Sequence, residues 1–143
     1  ANLQGANLQD ARLANADLTR VDLSRANLHK IYFGSTQLQQ ATLHGADLSH
    51  ANMRDVHLED ADLSDADLNH AHMASAHLQN ATCTNANFTQ ANLWAAQLQG
   101  ANLTGATLTD ANLSHAEFDE TTVLPDGSHW TPDTDLAQFT SGE

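Results

Sequence analysis

Between residues 1 and 120 the chain repeats one five-residue pattern: a small apolar residue, a polar residue, a large apolar residue, then two more that are mostly polar. Residues 61–70, ADLSD-ADLNH, give two copies, and 24 copies follow one another without insertion or deletion. The first position is Ala in 20 copies, the exceptions being Val21, Ile31, Thr36 and Val56. The third is Leu in 18, with Phe33, Met53, Met73, Cys83, Phe88 and Phe118 in the others. A period of five suits no α-helix, because each step of five advances about 140° beyond a full turn and scatters the leucines around the surface. In extended backbone, residues two apart point the same way, so the first and third positions share one side. The pattern predicts short extended segments, each ended by a corner, with alanine and leucine inside.

The fifth position supplies the corner. It is Gly at 5, 45, 100 and 105, and Asp or Asn in eight further copies, residue types that tolerate positive φ or favour turns. Regular bends in one sense wind a chain into a solenoid. Met53 with Met73, His50 with His70 and His57 with His77 recur twenty residues apart, which suggests four units per coil.

The [Ala/Val]-[Asp/Asn]-[Leu/Phe]-x-x tandem resembles the pentapeptide repeat proteins. That resemblance implies an all-β solenoid: a right-handed quadrilateral β-helix of about six four-sided coils, ~29 Å long if coils stack at about 4.8 Å. The repeat domain is assigned to residues 1–124, and a turn with a short helical cap to residues 125–143. Thr121-Thr122-Val123 reads as a last partial unit and Leu124-Pro125-Asp126-Gly127 as a tight turn. Thr131-Pro132-Asp133 reads as a helix N-cap with Pro at the first helical position. Trp130, Leu136 and Phe139 are then expected to cover the last leucine layer, or to pair two chains end to end as the topoisomerase-protecting members of the family would suggest.

Charge divides the chain. The net charge is −13, yet all five basic residues (Arg12, Arg20, Arg25, Lys30, Arg54) lie in the first 54 positions. Residues 55–143 hold fourteen acids and no Lys or Arg, which disfavours direct binding to a nucleic-acid backbone. The sole cysteine, Cys83, occupies a core Leu position and reads as a small buried hydrophobe. One cysteine makes no internal disulfide, in keeping with the cytoplasm, and neither a spanning apolar run nor a signal-peptide pattern is present. Ala1 begins in mid-pattern without Met, so the sequence reads as a fragment or processed product whose first coil is covered by further chain or left sticky.

Within the repeat, Ile31-Tyr32-Phe33 replaces the usual Ala-Asn-Leu, so the wall is expected to bulge there or to expose Tyr32. Trp94, at a fourth position, is expected to be exposed. An acidic run, Asp55, Glu59, Asp60, Asp62, Asp65 and Asp67, with Asp47 beneath Asp67, offers further contact candidates. His50, His70 and His72 form the candidate metal patch, with His57 over His77 as a second pair. No phosphate loop, Cys-x-x-Cys, His-Glu-x-x-His or nucleophile elbow occurs, and a filled axis leaves no deep pocket. The chain therefore reads as a non-enzymatic scaffold or interaction module for an unknown protein partner, with no cofactor. Two alternatives are a DNA mimic that binds a type II topoisomerase such as gyrase, and metal binding through surface histidines.

Overall fold

A recurring set of bonds satisfies the backbone donors of most units, illustrated by residues 1–6 in a computed structural model that describes residues 1–141. The third-position N–H of Leu3 donates to Asp22 O one coil on (2.7 Å), and the fifth-position N–H of Gly5 donates to Ser24 O (2.9 Å). The second-position N–H of Asp22 donates back to Ala1 O (3.0 Å), and Ala6 N–H closes the corner on Leu3 O (3.0 Å). The fourth-position N–H is left over, and the second-position side chain takes it: Gln4 N–H donates to Asn2 Oδ1 (3.0 Å). Buried or half-buried backbone donors need such partners, which is why Asn and Asp recur at the second position.

Parallel bridges join residues twenty apart from Asn2↔Asp22 to Gln97↔Glu117, so four units close one coil. Four walls result. Wall 1 carries the units beginning at residues 1, 21, 41, 61, 81 and 101, and walls 2, 3 and 4 those displaced by five, ten and fifteen.

At the corners the fifth residue takes positive φ in every unit up to His115, as a type II turn requires. Asp and Asn do so at the corners the sequence marked, but so do Arg20, Lys30, Gln90 and Ala95. For these residues the left-handed region costs about 1–2 kcal/mol. The coil-to-coil bonds on either side outweigh that.

First- and third-position side chains fill the axis. From Val21 to Leu103 the apolar ones are at most 2% exposed, including Cys83 and Phe88 in one coil. Leu3, Leu8, Leu13 and Leu18 in the first coil are only partly buried. At residues 31–33 the wall does not bulge: Tyr32 N–H keeps its bond to Ala11 O (2.8 Å), Phe33 N–H its bond to Asn52 O (2.8 Å), and Ile31 and Phe33 are fully buried. Thr36, a polar first-position residue, is tolerated because its hydroxyl donates to Leu13 O (2.8 Å).

The same device resets the register at the end of the repeat. Thr121 is an extra residue, and the partial unit is Thr122-Val123-Leu124, one residue later than the sequence suggested: Asn102 bridges Val123, and buried Thr122 donates to Leu98 O (2.8 Å). Val123 then bridges His129 antiparallel around a turn in which Gly127 N–H donates to Leu124 O (2.8 Å).

The helix also differs from expectation. Thr131 Oγ1 takes Asp133 N–H (3.3 Å), but Thr134 N–H closes on Thr131 O (2.9 Å), so these residues form an isolated turn. The helix, α1, is Ala137–Thr140, with Leu136 at its N-cap. Trp130 stacks on Phe118 (5.9 Å, 16°), Phe139 packs against the core, and Thr140 O accepts Asp110 N–H (2.8 Å), continuing the ladder of wall 2. Leu136 is half-buried.

Candidate functional site

Wall 3 departs from the others in its fourth-position column, which reads Ala14, Gly34, Arg54, Ala74, Trp94, Ser114. Small residues leave room beside the large ones. Tyr32 and Trp94, the two exposed large hydrophobics among the described residues, are 44% and 45% exposed, and both stand on this wall. The ring of Tyr32 lies over Gly34, where a Cβ would come within 3.3 Å of Cε1. Trp94 meets His115 edge-on (5.7 Å, 69°). Two shallow depressions flank Arg54: one of about 270 Å³ beside Tyr32 and Asn52, and one of about 390 Å³ beside His72 and Trp94. Arg54 lines both. Sequence reasoning passed it over, although it is the only Lys or Arg at a fourth position.

The acidic run does not make a patch. Asp62 stands on wall 1, Asp47 and Asp67 on wall 2 and Glu59 on wall 4, while Asp65, Asp55 and Asp60 sit at three different corners. Of the set, Asp47 and Asp67 bridge each other. Several second-position carboxylates serve the backbone instead. Asp22 Oδ1 accepts the Ser24 hydroxyl (2.7 Å) and Ser24 N–H (3.0 Å), and these bonds hold its carboxyl below the ordinary range, the hydroxyl contributing most. Asp17, with Thr19, is lowered in the same way.

The histidines fall into two separate stacks. His50 and His70, at fifth positions on the corner of walls 2 and 3, stack in parallel (4.7 Å, 7°), with His29 edge-on to His50 (5.6 Å). Although His50 is exposed, the desolvation its neighbours impose, followed by the charges of His70, His29, Lys30 and His72, pushes its imidazole below the ordinary value. His72 lies around the corner on wall 3 and does not join the other two at metal-ligand distance. The described residues that do converge are on wall 4: one ligand atom each from His57, Glu59 and His77 lies within 4.8 Å of the others.

Burial, and secondarily the charge of Asp62, pushes the Cys83 thiol up to about 12, which leaves no thiolate for nucleophilic chemistry. Among the described residues no helix is long and apolar enough to cross a membrane.

Comparison with known proteins agrees with this architecture. The profile of the pentapeptide repeat region matches residues 51–129, and that of pentapeptide repeats (8 copies) matches residues 1–36 and 23–60. The comparison with curated proteins found no match. Among solved structures, HetL, a pentapeptide repeat protein involved in heterocyst differentiation regulation in the cyanobacterium Nostoc, is 32% identical with a TM-score of 0.54. The match covers 91% of this chain and 66% of HetL. A pentapeptide repeat protein of the Arabidopsis thaliana thylakoid lumen is 38% identical with a TM-score of 0.65, over 66% of each chain. In both cases the matched region spans just under two thirds of the relative's length. QnrB1, a plasmid-mediated fluoroquinolone resistance protein, is 19% identical with a TM-score of 0.62, over 82% of this chain and 67% of that one, a likeness of fold alone. With a family profile over more than half of its length and a polar–apolar period that closes four-walled coils, the chain belongs to the pentapeptide repeat proteins.

Proposed function

We propose that the chain is a non-catalytic interaction module, a right-handed quadrilateral rod of six coils capped by residues 125–143, and that wall 3 is the surface that grips a protein partner. The observation that carries this reading is the placement of Tyr32, Arg54 and Trp94 on one wall, each beside a depression. Residues that dominate interface energetics are enriched in Trp, Tyr and Arg, and the aromatic pair buries large area for little lost rotamer freedom. Coils 2 and 5 separate the two aromatics by about 14 Å along the axis at one strand spacing per coil. Two anchors on a rigid wall at that distance select a partner with two matching recesses. Trp130 and Phe139 are engaged within their own chain, so the proposal does not use them for pairing two copies. Buried Cys83, without an internal disulfide partner, fits a cytoplasmic setting.

The test is affinity capture from the source cell with the wild-type chain and a Tyr32→Ser/Arg54→Ser/Trp94→Ser variant, both checked for fold by circular dichroism. A partner retained by the wild type and by a Thr82→Ala/Thr104→Ala control on wall 1, and lost by the triple variant, is the expected result. Equal capture by all three chains refutes the assignment of wall 3. A mimic of DNA would need acidic rows along one wall, and wall 2 provides one adjacent pair. A gyrase supercoiling assay addresses that reading separately, through inhibition that survives loss of the wall 3 residues.

A further inference from the structure

Wall 4 holds a cluster for which an interaction surface has no use. His57 and His77 occupy second positions one coil apart, joined by a backbone bridge, with imidazoles stacked at 4.3 Å and 3°. Glu59 stands two residues after His57 with its Oε2 3.4 Å from His57 Nδ1. Gln79 occupies the equivalent place after His77. Glu59 Oε1 and Gln79 Oε1 are both buried without a hydrogen-bond partner. The cluster sets a carboxylate and an amide oxygen beside two imidazoles, groups that can each offer a lone pair to a cation. All five Lys and Arg lie before residue 55, and Arg20, on the first coil of this wall, donates to Gln40.

We infer that His57, Glu59 and His77 bind a divalent transition-metal ion of the Zn²⁺, Ni²⁺ or Cu²⁺ class. Ligand atoms bound at about 2.0–2.2 Å in a tetrahedral site lie about 3.3 Å from one another. His57 Nδ1 and Glu59 Oε2 are already at that separation. The His77 nitrogen lies within 4.8 Å and must approach by at most about 1.5 Å, which side-chain rotation out of the stack supplies. His77 is half-buried, so its rotation meets solvent on one side. Two imidazole nitrogens and one carboxylate oxygen suit borderline metals and not Ca²⁺ or Mg²⁺, which take all-oxygen shells. The bridge between His57 and His77 fixes the spacing of their backbones, so only the His77 side chain has to move when the ion arrives.

The test is calorimetric titration of the tag-free full chain with Zn²⁺ near neutral pH, together with imidazole nitrogen–proton correlation spectra. One Zn²⁺ per chain is expected, shifting the His57 and His77 resonances. His77→Asn and Glu59→Gln should each weaken binding at least about tenfold. His50→Asn/His70→Asn, which removes the other stack, should bind as the wild type does. No saturable binding, unshifted His57 and His77 resonances in the wild type, or loss of affinity in the His50/His70 variant alone each overturns the assignment.

Discussion

Replacing Leu68 by alanine tests the packing on which every wall depends. Leu68 is fully buried in the coil that also holds Leu63, Met73 and Leu78, with Leu48 and Phe88 in the coils on either side. The substitution removes three carbons, worth about 0.8 kcal/mol each in transfer from water, or ~2.4 kcal/mol. It also vacates roughly 80 Å³, which at about 24 cal/mol per Å³ adds up to ~2 kcal/mol where nothing relaxes. Relaxation is limited, because Leu68 N–H is tied to Asn87 O (2.7 Å) and Leu68 O accepts Ala71 N–H (3.0 Å), so the wall cannot sink inward without breaking its ladder. The expected loss is roughly 3–4 kcal/mol, or a fall in Tm of about 10–15 °C for a domain of this length. Leu113→Ala, at a half-buried third position in the last coil, should cost less than half as much, and Met73→Leu about 1 kcal/mol or less. Urea denaturation followed by far-ultraviolet circular dichroism gives all three values. Fluorescence of Trp94 in the repeat and Trp130 in the segment after it shows whether the coils unfold together. A Leu68→Ala loss no larger than that of Leu113→Ala would refute fixed layers of third-position side chains.

Two further outcomes follow from the corners. Because the His50 imidazole is held below its ordinary value of 6.5, the unfolded chain takes up a proton there first. Stability should therefore fall as pH drops below about 6.5, and this contribution should stop changing once pH passes below the folded value of His50. His50→Asn should flatten that part of a stability–pH curve, and an unchanged curve would show that His29, Lys30, His70 and His72 do not act on it. Gly100, at φ +75°, lies so close to Asn80 that an added Cβ would collide with its Oδ1. Gly100→Ala should cost about 1–2 kcal/mol, and Asn80→Ala in the same chain should recover part of it in a double-mutant cycle measured by thermal melts. Strictly additive losses would mean that the strain is in the backbone alone, as Ala95 already tolerates at φ 56°.

The axis of the fold was legible because first and third positions alternate in extended backbone, and the twenty-residue pairs of Met and His gave the coil length. What surrounds the axis was less so. Residues near in sequence are parted by a corner every five residues, so the run from Asp55 to Asp67 is dispersed and His72 is separated from His70. The register slip at Thr121 had a signal: Thr36 already showed Thr at a first position, and Leu124 makes a better third-position residue than Val123. The role of the second position was not legible from composition, since Asn and Asp favour turns anywhere. Only the count of backbone donors in the coil shows that the fourth N–H lacks a partner.

That count also separates structural positions from free ones. All thirteen Asn and Asp residues at second positions accept the fourth-position N–H of their own unit, as Asp67 does from Asn69 and Asn92 from Trp94. A unit with another residue there lacks this Asn or Asp bond, worth about 0.5–1.5 kcal/mol. The omissions are not evenly spread. Walls 1 and 2 have only Thr42, Thr82 and Thr107. Wall 3 has Arg12, Tyr32 and His72, and wall 4 has Gln37, His57, His77, Gln97 and Glu117. An architecture indifferent to its walls would scatter such losses around the rod. Wall 4, with five of its six second positions so occupied, departs furthest, and there the side chains that elsewhere close the coil are left able to meet one another, as His57 and His77 do.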